Sequence, residues 1–186
     1  MRNVMTILLL LITLMSVSCA GQPVKNTTKE SLNDTPEEAI EYYIIQKDGQ
    51  EASKNLSFID MRPYKGKILV FYRYNEQYIF QWVESKNAGF ITQYGRTASS
   101  SADVDNPVDI VGTSGGSEDD EYSATGIYVK DPEVYIVKLV FSNGDIIKKH
   151  ITEKNGFSVL FEEYVELEQV DAYDNNNNEI WSSSLW

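Results

Sequence analysis

His150 is the only imidazole in this 186-residue chain, and Cys19 is the only thiol. A Ser-His-acid relay must use His150, yet no Gly-x-Ser-x-Gly elbow accompanies it. Zinc takes several His or Cys ligands, and one of each makes no site. A single cysteine has no intrachain disulfide partner. The stretch Gly112-Thr113-Ser114-Gly115-Gly116 lacks the lysine and the following helix of a phosphate-binding loop. Carboxylates are what remain. Glu118-Asp119-Asp120-Glu121 sets four acids in a row, and Ca²⁺ takes such oxygen ligands. Asp171, Asp174, Asn176, Asn178 and Glu179 form a second group, whose oxygens at 174, 176 and 178 resemble the start of a calcium loop. Glu179 stands where that loop needs glycine, and no Glu falls at the twelfth position. A carboxylate pair also serves glycoside hydrolysis when its separation suits. Acids in turns and loops stay ionised, which leaves few groups for proton transfer near neutral pH. The expectation is therefore no catalytic residue, no metal site and no cofactor. A carboxylate-based hydrolase of wall polymers and a calcium-dependent adhesion module are the alternatives. His150 itself reads as an exposed strand residue beside Lys149.

A different kind of site comes from Tyr72, Tyr74, Tyr78, Phe80, Trp82 and Tyr94, which alternate along neighbouring segments. One face of such a pattern fills a core. Whatever part of Tyr72, Tyr74, Tyr78 and Trp82 stays exposed is the candidate binding surface for a peptide or a sugar. Charge limits the partner. With 16 Lys+Arg against 28 Asp+Glu, the net charge of −12 repels nucleic acid and disfavours docking on anionic headgroups.

The elements that must position these residues begin at Thr35-Pro36-Glu37-Glu38. Thr35 suits an N-cap, Pro36 the first helical position and Glu38 a capping box. Ala39, Ile40, Tyr43 and Ile44 follow at helical spacing, and Gly49 is a fitting stop. From Phe58 onward the period becomes two. Ile68, Val70, Tyr72 and Tyr74 share a face, and Tyr78, Phe80 and Trp82 are read as pointing the same way. A tight turn at Asn75-Glu76 joins these runs, and Phe90, Ile91 and Tyr94 complete a three-strand meander. Residues 97–121 read as a flexible acidic loop, interrupted by a short edge strand at Val108–Val111. Beyond it, Tyr135, Val137, Leu139 and Phe141 alternate up to Asn143-Gly144, a two-residue type I′ hairpin signal. Asn155-Gly156 repeats the signal before Phe157, Val159 and Phe161. Val170, Ala172 and Tyr173 make another strand, and residues 175–178 turn the chain toward Ile180 and Trp181. Short strands at regular spacing predict a mainly β fold: an antiparallel β-sandwich or open barrel with one N-terminal helix.

The N-terminus carries Arg2, then an apolar run from Ile7 to Met15, then Ser16-Val17-Ser18-Cys19-Ala20-Gly21. The run is short for a bilayer span and fits an export signal. Its end resembles the lipobox of bacterial lipoproteins, with Ser16 where that family has leucine. The resemblance implies cleavage before Cys19, attachment of lipid to its sulfur, and a place on the outer face of the bacterial cell membrane. Loss of Arg2 leaves 28 acidic against 15 basic residues, a balance of −13. The expected organisation is a signal peptide at 1–18, a lipidated tether at 19–34 and a helix plus meander at 35–96. The acidic loop at 97–121 and a sandwich-like module at 122–186 follow.

The last 65 or so residues resemble small extracytoplasmic proteins of Gram-positive bacteria. The likeness rests on Gly126, the run Val134 to Phe141, Asn143-Gly144, Gly156-Phe157 and Val170-Asp171-Ala172-Tyr173-Asp174. It implies an immunoglobulin-like β-module without an assigned activity. The functional expectation is a membrane-anchored binding or scaffolding module that is not an enzyme. Its partners are the membrane, through the anchor, and a protein or cell-wall ligand, with no nucleic acid.

Overall fold

The computed structural model describes residues 32–86, 89–92, 98–101, 105–116, 120–152 and 155–185. The segment 1–18, Cys19, most of the expected tether, and Tyr94, Glu118 and Asp119 lie outside the described residues. Among the described residues, no helix is long and apolar enough to cross a membrane.

The helix spans Pro36–Asp48. Thr35 Oγ1 accepts the Glu38 N–H at 3.1 Å, and Gly49, at φ +92°, donates its N–H to the Ile45 carbonyl. The Glu38 carboxylate accepts from Asp34 N–H, one residue upstream of the expected capping-box position. Upstream, Asn33 already exchanges two backbone hydrogen bonds with Phe90, so the end of the expected tether is part of the domain.

Among the described residues, twelve strands follow in three antiparallel sheets. Sheet A contains β1 (Leu56–Tyr64), β2 (Lys67–Tyr74) and β3 (Gln77–Lys86), with β4 (Gly89–Thr92) and β5 (Ala98–Ser101) end to end along β3. Sheet B runs β10–β7–β6, from β6 (Val108–Gly115), β7 (Tyr122–Val129) and β10 (Gly156–Phe161). Sheet C runs β12–β11–β8–β9, from β8 (Ile136–Phe141), β9 (Ile146–His150), β11 (Leu167–Tyr173) and β12 (Glu179–Ser184). The fold is mainly β and sandwich-like, as expected. Strands β5 and β6 both fall within the stretch read as a loop, and β6 is an edge strand of sheet B.

The layers are stacked so that the two halves of the chain share their core. Ala39, Ile40 and Ile44 of the helix pack on Val70, Tyr72, Ile79 and Val83 of sheet A. The opposite face of sheet A, with Leu69, Phe71, Tyr78 and Phe80, packs on Val111 and Ala124 of sheet B. The far face of sheet B, with Val108, Ile127, Val129 and Phe157, packs on Val137, Leu139, Phe141, Val170 and Ala172 of sheet C. Strands β2 and β7 are therefore covered on both faces. Gly126 makes the first of these sheet contacts possible, because a Cβ there would lie 2.7 Å from the Phe71 ring.

Turn chemistry sets the register. Lys65-Gly66 and Asn75-Glu76 are two-residue turns in which all four residues have positive φ. Asn143-Gly144 differs from expectation. Gly144 N–H bonds the Phe141 carbonyl, Phe141 N–H bonds the Asp145 carbonyl, and only Gly144 of the pair has positive φ, at +88°. This is a three-residue loop ending in a left-handed glycine, the next commonest hairpin solution. Gly144→Val is expected to cost about 1 kcal/mol or more, since a β-branched residue resists that φ. An unchanged urea midpoint would refute it. Asn155-Gly156 is not a hairpin at all: it carries the chain from sheet C to sheet B. Gly156 is needed for close approach, since a Cβ would lie 2.6 Å from the Ile127 carbonyl oxygen.

Candidate functional site

The aromatic residues proposed as a binding surface are placed in the core. Tyr72, Tyr74 and Tyr78 are buried, and Trp82 is half-buried. They also do not share a face. The turn at Asn75-Glu76 pairs Tyr74 with Gln77, so Tyr72 lies opposite Ile79, and Tyr78 opposite Arg73. Tyr72 and Tyr74 thus face the helix, whereas Tyr78 and Trp82 face sheet B. Each polar tip has a partner. Tyr72 O–H donates to Gln81 Oε1 at 2.7 Å, Tyr74 O–H to Asp48 Oδ2 at 2.8 Å, and Trp82 Nε1–H to the Tyr122 hydroxyl at 3.2 Å. Burial, with the Asp109 carboxylate alongside, holds the Tyr78 phenol far above its ordinary pKa. With both faces of sheet A covered, these four residues offer no platform.

The carboxylates hold the sheets. Asp60 sits at the bulge in β1, where its Oδ2 accepts from Arg62 and from both the N–H and the hydroxyl of Ser158 on β10. Asp109, on the sheet A side of β6, accepts from Lys130 Nζ at 2.8 Å. Asp171 is only 1% exposed and accepts from Lys138 Nζ at 2.8 Å, Gln169 Nε2 at 2.6 Å and Ser182 Oγ at 2.7 Å. Burial alone raises its pKa, but these three bonds prevail and hold it below the ordinary carboxylate value. Asp174 belongs to the 175–178 turn. It accepts from the Asn178 side chain and from the N–H groups of Asn176 and Asn178, bonds that lower its pKa. Backbone donors converge on Asp174, the reverse of what a cation wants. His150 is exposed at the end of β9, edge-on to Tyr135. Among the described residues, no three His, Cys, Asp or Glu side chains stand close enough to share a metal ion.

The feature with the character of a binding site lies elsewhere. Along β7 and β6, the side chains facing sheet C change from Ile127 and Ile110 to Thr125, Ser123, Gly112 and Ser114. These small residues cannot fill the space between the sheets. A groove of about 440 Å³ opens there, closed on its other side by Tyr164, Val165, Glu166, Leu167 and Leu185. Ser123 fixes that wall: its hydroxyl donates to the Glu163 carbonyl at 2.9 Å and accepts the Val165 N–H at 3.0 Å. Tyr164, 58% exposed, stands at the rim and donates to Glu166 Oε1 at 2.5 Å. Thr125 lines the groove and is only 7% exposed. An apolar cleft with a few placed polar groups is the usual form of a ligand site. A larger hollow of about 600 Å³ beside Lys54, Asn55, Arg73 and Asn75 lacks that apolar lining. The groove was not foreseen from sequence. Its only trace there is the run of small residues in strands whose neighbours are large and apolar. The chain matches no family model, and no curated protein or solved structure is significantly similar to it.

Proposed function

We propose that this chain is a lipid-tethered binding module on the outer face of a bacterial membrane. It acts by contact at the groove between sheets B and C and performs no covalent chemistry. The observation that carries the reading is the groove itself, with small polar residues on one wall, Val165, Leu167 and Leu185 on the other, and an exposed aromatic rim. The address rests on the residues Ser16 to Gly21 and the apolar run before them. Two acyl chains on Cys19 bury enough methylenes, at about 0.8 kcal/mol each, to hold the protein firmly at a bilayer.

The contact is tested by a photo-cross-linking residue at position 164 in intact cells. Tyr42, exposed on the helix, serves as the control position. A discrete adduct at 164 and none at 42 is the expected result; equal labelling at both positions would refute the groove. The anchor is tested by Cys19→Ala, which is expected to move the protein out of the membrane fraction. Retention in that fraction at unchanged mass would count against lipidation.

A further inference from the structure

The three sheets protect their edges differently. β1 carries a bulge and Pro63, and its Asp60 is bonded to β10, so these two edges cover one another. β4 and β5 have four residues each. β9 carries Lys148 and Lys149, and a register shift lies where β12 meets β11. Short length, bulges and lysines are the usual guards against an added strand. β6 has none of them. It is eight residues long and pairs with β7 in unbroken register from Val108 to Gly115. Its one charge, Asp109, is an inward-pointing guard confined to the Val108 end, where it is buried and neutralised by Lys130, and the stretch from Ile110 to Gly115 carries no charge.

The direction of its free backbone groups follows from the ladder. Lys130 N–H bonds the Pro107 carbonyl, so the odd-numbered residues of β6 bond β7 and the even-numbered ones face away. Ser158 confirms the alternation on the other side of β7, since its N–H points outward to Asp60. The N–H and C=O of Ile110, Gly112 and Ser114 therefore point out from the edge, and no strand among the described residues pairs with them. The side chains of these same residues face the groove. Gly112 adds an independent sign. Its φ is not positive, and a Cβ there would meet only the Ala124 carbonyl oxygen, at 4.0 Å. The fold does not require glycine at a place where glycine weakens a strand, and the missing Cβ leaves the groove open beside the edge.

We propose that β6 is a docking edge for an extended, basic segment of a partner protein. The segment adds as a fourth strand of sheet B, bonds Ile110, Gly112 and Ser114, and lowers an apolar side chain into the groove beside Thr125. Basic character follows from charge complementarity. Glu162 and Glu163 are exposed on the loop that forms the wall, Glu166 lines the groove, and among the described residues no Lys or Arg does. Strand addition draws affinity from main-chain bonds and specificity from alternate side chains. The proposal rests on the groove being the contact site, as argued above.

The test is selection of random displayed dodecapeptides on the detergent-solubilised full chain. Enriched peptides should carry Lys or Arg around an apolar residue. On binding they should slow amide exchange at Ile110, Gly112 and Ser114. N-methylation of alternate peptide nitrogens should weaken binding by roughly tenfold or more, the effect of one or two lost hydrogen bonds. Gly112→Pro, which removes an outward N–H and no bond to β7, should do the same, and Gly112→Phe should block the groove. Peptides blocked by Gly112→Phe but indifferent to N-methylation would overturn strand addition and leave the groove as a binding site. Absence of enrichment, or enrichment of acidic peptides, would overturn the proposal. Conversion of a dimer to a monomer by Gly112→Pro would assign the edge to a second copy and overturn the partner segment.

Discussion

Phe71→Ala is expected to destabilise the whole domain by about 3–5 kcal/mol, the range for deleting a fully buried aromatic ring. The ring has no exposed surface, stacks on Phe80 at 4.8 Å and sits over the backbone of Gly126. Its removal opens a cavity between sheets A and B that β2 and β7, covered on both faces, cannot close. Trp82 lies in sheet A and Trp181 in sheet C, so tryptophan fluorescence reports from both halves. A single urea transition displaced to lower midpoint with unchanged slope is the expected result. A biphasic curve, in which the sheet C half unfolds at its original midpoint, would show that the halves do not share a core.

Lys138→Met should cost about 3–5 kcal/mol at neutral pH, because it leaves Asp171 ionised and buried without its cation. The pair also sets a pH dependence whose sign follows from its shifts. Asp171 is held below its ordinary value against the opposing effect of burial. Its contribution is complete above the unfolded carboxylate range, about pH 4, and is lost as pH falls through the lower folded value. Lys138 is raised chiefly by its bond to Asp171, so its contribution is complete below about pH 10 and is lost as pH rises through the folded value. In the variant the penalty should shrink toward acid, where protonation of Asp171 relieves the unpaired charge. Lys138→Met with Asp171→Leu should recover much of the loss. Thermal unfolding across this pH range decides the matter; a flat, small penalty would show that the other bonds to Asp171 suffice.

What could be read in the sequence was local. The helix ends were legible because Thr35, Pro36 and Gly49 each act on their own backbone. The mainly β character and the turn at Asn75-Glu76 were legible for the same reason. The sides of the strands were not. A two-residue turn fixes which residues pair, and counting from Tyr74 opposite Gln77 puts Tyr72 and Tyr78 on opposite faces. Alternation within each strand cannot reveal that. Strand β1 has no such signal beyond its Lys65-Gly66 turn, and β6 was legible only over Val108–Val111, because glycine and serine give its second half the composition of a loop. Asn155-Gly156 carried the composition of a hairpin while serving a crossing between sheets. The groove was the least legible feature, since it exists only where Thr125 and Gly112 are set against Tyr164 and Leu185 by the stacking of two sheets.

The position of sheet B has a consequence for the order in which the chain can fold. Sheet A is complete early in the sequence, but the cover for Leu69, Phe71 and Phe80 comes from β6 and β7, and β7 gains its outer neighbour only with β10. The Asp60 clamp closes on a residue 98 positions later. A growing or threading chain therefore presents a finished sheet with one apolar face bare until β6 and β7 have emerged, and β7 stays without its outer neighbour until β10 follows. Such long-range closure makes assembly slow and leaves the waiting intermediate prone to stick to its own kind. The solubility of the N-terminal half during folding is thus decided by how soon β7 arrives.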